Sequence, residues 1–315
     1  MSFFISPPHL SPSPLLSDLP GFTRSFLAPD HALITPESRT WAPLAGWVNA
    51  SAAVLASPAP PMRAGFVMAL ADVGAGGVVG PPLAGGGPGA SAARAVVQRA
   101  VFVLDGSLVV EGGEGVGDCP GLGKGAAGAT STLTLHADGF LYLPPGCAAT
   151  ARLSSPSGAG LVIWDKLYSR GEGEGSEASD GRPPCPPPPL IAHPSSSALP
   201  ALDPGGGEAF TLRRLLPSPD DASVAPDFNV HLMDFQPGAA SGHLVTKEVH
   251  FNQHGLVMLE GGGLYRLGDR FHPVTAGDAV WMGPFVPQWF GALGTGRARY
   301  IIFKDTGVDP LLPLL

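Results

Sequence analysis

The sequence has few charged residues and no basic run. Charged side chains make up 14% of the chain, and the formal net charge is −8. Nucleic acid and anionic membrane surfaces bind clusters of lysine and arginine, so neither is a predicted partner. No stretch approaches the roughly 18 continuous apolar residues of a membrane-spanning helix.

Cysteine is also scarce. The three cysteines, Cys119, Cys147 and Cys185, are an odd number, lie far apart and form no CxxC pair. They predict neither a disulfide framework nor a zinc knuckle. The amino terminus has no basic segment followed by an unbroken apolar stretch, so it does not match a signal peptide.

Glycine and proline, in contrast, are abundant. The 44 glycines and 36 prolines make up about a quarter of the 315 residues. This composition predicts a turn-rich, all-β protein with loose loops. Because 44% of the residues are hydrophobic, the chain can bury a large core, and its length suits two domains.

Composition divides the chain into four parts. Residues 1–40 form an amino-terminal arm, and strand-like patterns follow in 41–168 and again in 209–315. The segment between them, 169–208, is rich in glycine, proline and serine and is predicted to be a linker. A second glycine-rich stretch, 74–90, is predicted to be a loop insertion in the first strand-rich segment.

The two strand-rich segments resemble each other. When Gly106 is aligned with Gly261, an offset of 155 residues, VFVLDGSLVVEGG matches LVMLEGGGLYRLGD. Downstream, the stretch DGFLYLPPGC at Asp138 matches GDAVWMGPFVP at Gly277. A duplicated β unit of this size predicts two small barrels or jelly rolls packed together.

The segment KEVHFNQHG, 247–255, concentrates groups that can bind a metal ion. Alternate residues of a strand share a face, so Glu248, His250, Asn252 and His254 point the same way if the strand is regular. One carboxylate and two imidazoles on one face suit manganese, iron, nickel or zinc better than calcium. The alternative is a polar strand edge that faces solvent, which accounts for many histidine pairs.

The spacing resembles the first motif of the cupin superfamily, HxHxxxxE or HxHxxxE followed by six residues and a glycine. Here the order is Glu248-x-His250-xxx-His254-x6-Gly261, so glutamate and histidine have exchanged ends. Three residues able to bind metal still occupy the three ligand positions.

The second cupin motif places a glycine eleven residues before the fourth ligand, which is normally histidine. Counting from Gly277 gives Gln288. A set of one glutamate, two histidines and one glutamine is unusual among cupins. Together with the run from DFNVHLMDFQPG to RYIIFKD, it resembles the (S)-ureidoglycine aminohydrolases, which are two-domain, or bicupin, manganese enzymes of purine breakdown. The resemblance is strong over residues 210–305 and weaker over the first segment.

This resemblance implies a fold, a reaction and a set of residues. It implies two tandem cupin domains, assembly into homo-oligomers, and hydrolysis of (S)-ureidoglycine to (S)-ureidoglycolate and ammonia. It also implies transfer into the endoplasmic reticulum, although the amino terminus shows no signal. The implied Mn²⁺ ligands are Glu248, His250, His254 and Gln288. The implied substrate-binding residues are Tyr265, Tyr300, Lys304 and Glu248, and Lys304 and Tyr300 are the implied catalytic residues.

Strand alternation points independently to two of these residues. In RYIIFKD, Tyr300, Ile302 and Lys304 share one strand face, so the tyrosine and the lysine can reach the same cavity. The alternatives are a surface lysine at the strand end and, for Tyr265 and Tyr300, core packing with the hydroxyl at the rim.

The first repeat provides an internal comparison. The offset of 155 puts Ala93, Ala95 and Arg99 at the positions of the first three ligands, and counting eleven from Gly139 gives Thr150. None of the four is a plausible Mn²⁺ ligand. The domain 41–168 is therefore predicted to hold no metal and to serve packing and oligomerisation.

Two other functions fit parts of the pattern. One is a different metal-dependent cupin, a dioxygenase or decarboxylase of a small carboxylate, although such bicupins keep HxH first and glutamate later. The other is a non-catalytic storage or ligand-binding bicupin, which would have lost its metal ligands in both domains. Stoichiometric manganese in the purified protein would exclude the storage function.

Overall fold

The protein is built almost entirely of strands. The computed structural model describes residues 23–83, 97–112, 132–168, 190–203, 209–217, 226–241 and 248–306. The only α-helix in these ranges is the single turn Cys147–Thr150, and no helix in them is long and apolar enough to cross a membrane. The prediction of an all-β fold is confirmed. Cys147 is disulfide-bonded, although the number and spacing of the cysteines predicted no disulfide framework.

The first barrel consists of strands β3 to β10. They are β3 (Val48–Ala56), β4 (Val67–Val79), β5 (Val97–Glu111), β6 (Thr132–His136), β7 (Phe140–Leu143), β8 (Arg152–Ser155), β9 (Ala159–Leu167) and β10 (Ile191–His193). Strand β9 pairs with both β4 and β5. The last strand, β10, comes from the predicted linker and pairs with β7.

The predicted loop at 74–90 is wrong in its first part. Residues 74–79 continue β4, where Gly77 to Val79 pair with β8. The alternation of buried and exposed positions in β4 is weak there because glycine supplies no side chain to mark a face. Residues 84–90 lie outside the described ranges.

The second barrel consists of strands β11 to β18. They are β11 (Phe210–Arg214), β12 (Phe228–Phe235), β13 (His254–Glu260), β14 (Gly262–Leu267), β15 (Arg270–Thr275), β16 (Ala279–Met282), β17 (Gln288–Ala292) and β18 (Ala298–Asp305). One sheet has the order β16-β13-β18-β12-β11, and the other has the order β15-β14-β17. The amino-terminal strands β1 (Phe26–Leu27) and β2 (His31–Ile34) extend the larger sheet beyond β16.

The glycine turns that suggested a duplication are equivalent in structure. Gly106 and Gly261 both have positive φ, 72° and 65°. A Cβ added at Gly106 would lie 2.0 Å from the Gly158 carbonyl oxygen, and one at Gly261 would lie 2.2 Å from the Arg297 carbonyl oxygen. Both turns therefore require glycine, for its conformation and for the close approach of another backbone.

The structure agrees with the alignment of Asp138 with Gly277, but the count from Gly139 to the fourth ligand position needs a correction of one residue. The Asp138 amide donates to the Val103 carbonyl, and in the second barrel the Gly277 amide donates to the Met258 carbonyl. Since Val103 and Met258 differ by the repeat offset of 155, Asp138 and not Gly139 is equivalent to Gly277. Asp138 also has positive φ, 71°. Counting eleven from Asp138 gives alanine at 149 instead of threonine at 150, and alanine too is no metal ligand.

The two barrels pack against each other through an aromatic cluster. Phe303 of the second barrel lies with its ring centroid 4.4 Å from that of Phe66 and 6.3 Å from that of Trp164, both in the first barrel. Phe228 packs on the same ring at 4.7 Å. All four side chains are fully buried. The back faces of the barrels therefore form one continuous core, and the interior of the second barrel remains free for a site.

Candidate active site

The interior of the second barrel contains a cavity of about 250 Å³. The structure brings all seven predicted site residues to its wall: Glu248, His250, His254, Tyr265, Gln288, Tyr300 and Lys304. These residues come from five separate stretches of a barrel whose strands are paired in register, so their convergence is a property of the fold. None of the seven lies elsewhere.

The segment that carries the first ligands is less regular than predicted. The Glu248 amide donates to the Gln288 carbonyl at 2.6 Å, and the Phe285 amide donates to the His250 carbonyl at 2.7 Å. These bonds tie residues 248–250 to the start of β17 and the loop before it, and the chain joins β13 only at His254. The prediction of a regular strand over this stretch is therefore wrong.

The alternation of faces nevertheless holds. Val249 and Phe251 are 49% and 52% exposed, whereas Glu248 and His250 line the cavity. Asn252 is the exception among the polar residues, because it is buried but does not line the cavity. Its Oδ1 lies 3.0 Å from His254 Nε2, and this contact orients the imidazole ring.

The four predicted metal ligands stand in two contacting pairs. Glu248 Oε2 lies 3.3 Å from His250 Nε2, and Gln288 Nε2 lies 3.2 Å from His254 Nδ1. The two imidazole rings are 5.0 Å apart between centroids. The Tyr265 hydroxyl donates to Gln288 Oε1 at 3.2 Å and so orients the amide.

This donor set fits a divalent transition metal. One carboxylate, two imidazoles and one amide oxygen are typical ligands of such ions, and Gln288 Oε1 keeps a second lone pair beside the bond from Tyr265. In the described part of the chain, no three His, Cys, Asp or Glu side chains are already gathered around one point. The side chains stand in two pairs instead of around one point, and a bound ion would replace the contacts within these pairs.

The charges around the cavity favour the protonation states that bind metal. Burial alone would raise the pKa of Glu248, but hydrogen bonds from His250 and Ser241 and the positive charge of Lys304 outweigh it and lower that pKa. Burial, together with Lys304, lowers the pKa of His254 well below 6.5. At neutral pH the glutamate is therefore ionised and His254 is neutral, with a lone pair available.

The two tyrosines and the lysine give the cavity its other polar groups. Burial raises the pKa of Tyr265 and Tyr300 far above 10, so both hydroxyls stay protonated and can donate hydrogen bonds. Burial lowers the pKa of Lys304, and the charge of Glu248 opposes this effect only in part. Lys304 is thus a cavity residue whose ammonium is poorly solvated, and not a surface lysine.

Some of the cavity wall was not predicted from the sequence. Ser241 Oγ accepts a hydrogen bond from the Phe290 amide at 3.0 Å and holds the Glu248 carboxylate. It follows a turn with no recognisable motif, so no local signal marks it. The remaining unpredicted wall is largely apolar: Phe210, Leu212, Met233, Trp289 and Ile302. Met233 could have been inferred from the alternation in β12, but its neighbours across the barrel could not.

Comparison with known proteins identifies the family of this chain. No family model matches the chain. The (S)-ureidoglycine aminohydrolase of Arabidopsis thaliana is 41% identical over 304 residues, which cover 96% of this chain and 85% of the relative. A rice protein named probable (S)-ureidoglycine aminohydrolase is also 41% identical, over 97% of this chain and 82% of the relative.

Solved structures agree on the fold. Protein Ylba of E. coli has a TM-score of 0.64 at 23% identity, with 91% of this chain and 96% of that chain covered. The oxalate decarboxylase of Bacillus subtilis has a TM-score of 0.57 at 10% identity, with 88% and 77% covered. The fold is therefore the all-β cupin fold in two tandem domains, and this chain belongs to the (S)-ureidoglycine aminohydrolase family.

Proposed function

We propose that the protein hydrolyses (S)-ureidoglycine to (S)-ureidoglycolate and ammonia, as a manganese-dependent step of purine catabolism. The observation that carries this proposal is the cavity in the second barrel, where all seven predicted residues meet. The relatives of this chain that share 41% of its residues bear the name of this activity.

Glu248, His250, His254 and Gln288 would hold the Mn²⁺ ion. The oxalate decarboxylase of Bacillus subtilis, a protein of the same fold, has Mn(II) centres, and this supports manganese as the ion. Glu248 is the only acidic ligand of the four, so the bound ion would keep a net positive charge. When bound, the ion acts as a Lewis acid towards the carboxylate and amine of the substrate.

The rest of the cavity suits a small polar carboxylate. The Lys304 ammonium provides a positive charge for the substrate carboxylate or ureido oxygen, and the Tyr265 and Tyr300 hydroxyls provide directional donors. Phe210 and Met233 contribute apolar walls that limit access of water. A space of about 250 Å³ accommodates such a molecule and excludes a polymer.

The reaction replaces an amino group by a hydroxyl group on one carbon. The C–N bond breaks and the nitrogen leaves as ammonia after taking up a proton. A water molecule then supplies the hydroxyl to the same carbon and releases a proton. Lys304 is placed to move one of these protons, because burial lowers its pKa and brings the ammonium closer to giving up its proton at neutral pH.

The test is release of ammonia from freshly generated (S)-ureidoglycine by protein stripped of metal and reloaded with Mn²⁺. We expect release that depends on the added metal, together with (S)-ureidoglycolate as the second product. Oxalate is the comparison substrate, because turnover of oxalate instead of ureidoglycine would favour a decarboxylase. Homo-oligomerisation through the first barrel stays a prediction, which light scattering can test.

A further inference from the structure

Gln253, the residue before His254, joins the site to the first barrel. Its Oε1 accepts a hydrogen bond from the Gly65 amide of the first barrel at 2.9 Å. Its Nε2 donates to Asp305 Oδ2 at 3.1 Å, and its own carbonyl accepts from the Asp305 amide at 3.0 Å. Side chain and backbone of one residue therefore connect three segments.

The two ends of this contact lie directly beside site residues. Gln253 precedes His254, and Asp305 follows Lys304, while His254 and Lys304 face each other in the pairing of β13 with β18. Neighbouring residues on paired strands point to opposite faces. His254 and Lys304 thus point into the cavity, and Gln253 and Asp305 point to the barrel interface. Fixing the interface pair fixes the backbone that carries the cavity pair.

The Asp305 carboxylate, which accepts the hydrogen bond from Gln253, also forms an ion pair with the first barrel. Lys166 of the first barrel places its Nζ 3.5 Å from Asp305 Oδ1 and 2.6 Å from Asp227 Oδ2. All three side chains are at most 2% exposed. Buried ion pairs of this kind favour one geometry, because separating the charges in a buried environment costs free energy.

The first barrel also fits the glutamine sterically. A Cβ added at Gly65 would lie 2.3 Å from Gln253 Nε2 and 3.1 Å from Asp305 Oδ2. The backbone of Gly65 is not in the left-handed region, so no conformational strain requires glycine here. An alanine at this position would instead displace the end of the Gln253 side chain.

We propose that Gln253 is a positioning residue, through which the first barrel fixes His254 and Lys304 in the geometry that binds metal and substrate. This gives the first barrel a role in the reaction, although its own interior is predicted to hold no metal. The inference rests on the metal site proposed above.

The chain contains a matched control for this proposal. Gln98 is equivalent to Gln253 by the repeat offset of 155 and likewise makes one donated and one accepted bond at the interface. It donates to Asp227 Oδ1 and accepts from the Tyr142 hydroxyl at 2.9 Å. Its neighbour, however, is Arg99 of the first barrel and not a residue of the cavity.

The experiment compares Gln253→Met with Gln98→Met. We expect both to lower the melting temperature of the metal-free protein, since each removes two side-chain hydrogen bonds at the interface, and Gln98→Met should lower it more because its bonds are buried. Only Gln253→Met should raise the Mn²⁺ dissociation constant, by about 10–100-fold, which is the usual effect of losing a residue that orients a ligand. Titration of free Mn²⁺ by its EPR signal measures this without substrate, and kcat of the loaded enzyme is the second readout.

Gly65→Ala is the second variant. It changes no amino acid of the second barrel but displaces the Gln253 side chain. We therefore expect the same rise in the Mn²⁺ dissociation constant. An Mn²⁺ dissociation constant that is unchanged in both Gln253→Met and Gly65→Ala would overturn the inference. Failure of both variants to fold would also overturn it, because the contact would then serve stability alone. A wild-type protein that binds Mn²⁺ but releases no ammonia from ureidoglycine would refute the proposed reaction and leave this inference standing.

Discussion

Arg99 and Asp165 form a buried bidentate ion pair in the interior of the first barrel. Arg99 Nε lies 2.7 Å from Asp165 Oδ1, and Nη2 lies 2.9 Å from Oδ2. Both side chains are at most 1% exposed. The two residues also face each other in the pairing of β5 with β9.

This ion pair occupies the positions that His254 and Lys304 occupy in the second barrel. The offset of 155 makes Arg99 equivalent to His254, and the pairing of β13 with β18 opposes His254 to Lys304. In the second barrel the His254 imidazole and the Lys304 ammonium line a cavity. At the equivalent positions of the first barrel, the guanidinium and the carboxylate form an ion pair with each other. A closed ion pair at these positions supports the prediction that the first barrel holds no metal ion.

We expect Arg99→Ala to destabilise the protein by about 3–5 kcal/mol, because Asp165 would remain buried without its partner. The stoichiometry of Mn²⁺ should stay at one per chain in whatever fraction folds. Urea unfolding and metal analysis measure the two effects.

Thr150→Ala is the control, since this hydroxyl donates only to carbonyls within its own helical turn. It should change neither stability nor metal content appreciably. Two ions per chain in the unmodified protein would contradict the assignment of the first barrel as metal-free.

The sequence predicts this protein well wherever the signal is local. Motif spacing and strand alternation identify Glu248, His250 and Gln288, and a glycine turn that needs positive φ identifies the duplication at Gly106 and Gly261. These features depend on residues within about a dozen positions of each other. The same local reasoning fails at 248–253, because the backbone bonds there are isolated ones to Phe285, Gln288 and Asp305 instead of a continuous ladder along one strand.

What the sequence does not show is non-local. Arg99 in an apolar strand signals a buried partner, but nothing near it indicates that the partner is Asp165. The contact of Gln253 with Gly65 spans 188 residues and depends on the packing of two barrels. The docking of β2 on β16 is of the same kind. Such contacts follow from the assembled fold and leave no pattern along the chain.

The metal site gives a direct prediction for His250. We expect His250→Ala to abolish bound manganese and ammonia release together while the fold survives. The ring is about one-third exposed and belongs to an irregular segment, whereas the second barrel is held by its apolar strands. Metal analysis and circular dichroism test the two parts. An inactive variant that still binds one equivalent of Mn²⁺ tightly would contradict the ligand assignment.

Stability at low pH should depend on His231, which is half-buried on β12 near Lys304. Burial lowers its pKa from 6.5 to about 3, and the charges of Lys304 and Arg214 add to the effect. Between these values the unfolded chain binds a proton that the folded protein does not bind. The free energy of unfolding should therefore fall as the pH falls below 6.5, by up to about 1.4 kcal/mol per pH unit for this residue.

His231→Gln should make the pH dependence less steep by about one proton. Urea unfolding of the metal-free protein at pH 7, 6 and 5 measures the slope. His136→Gln, which removes an exposed histidine of the first barrel, is the control. It should leave the pH dependence of the free energy of unfolding unchanged. An unchanged slope in His231→Gln would show that the ring is protonated in the folded state.

Lys304 is predicted to act on the substrate and not on the metal. It lines the cavity opposite His254, and a protonated lysine has no lone pair for a metal ion. Lys304→Met keeps much of the apolar stem and removes a charge whose burial lowers its pKa, so stability should change little or improve. Manganese content should stay the same.

The kinetic constants then distinguish what Lys304 does. If it holds the substrate equally in the ground state and the transition state, KM rises and kcat stays unchanged. If it stabilises developing charge or moves a proton, kcat falls about 100-fold or more. We expect the fall in kcat, because the metal already contributes much of the binding. Arg214→Met, which removes an exposed cation from β11, is the control and should leave both constants unchanged. Near-normal constants in Lys304→Met would show that this ammonium only occupies the cavity wall.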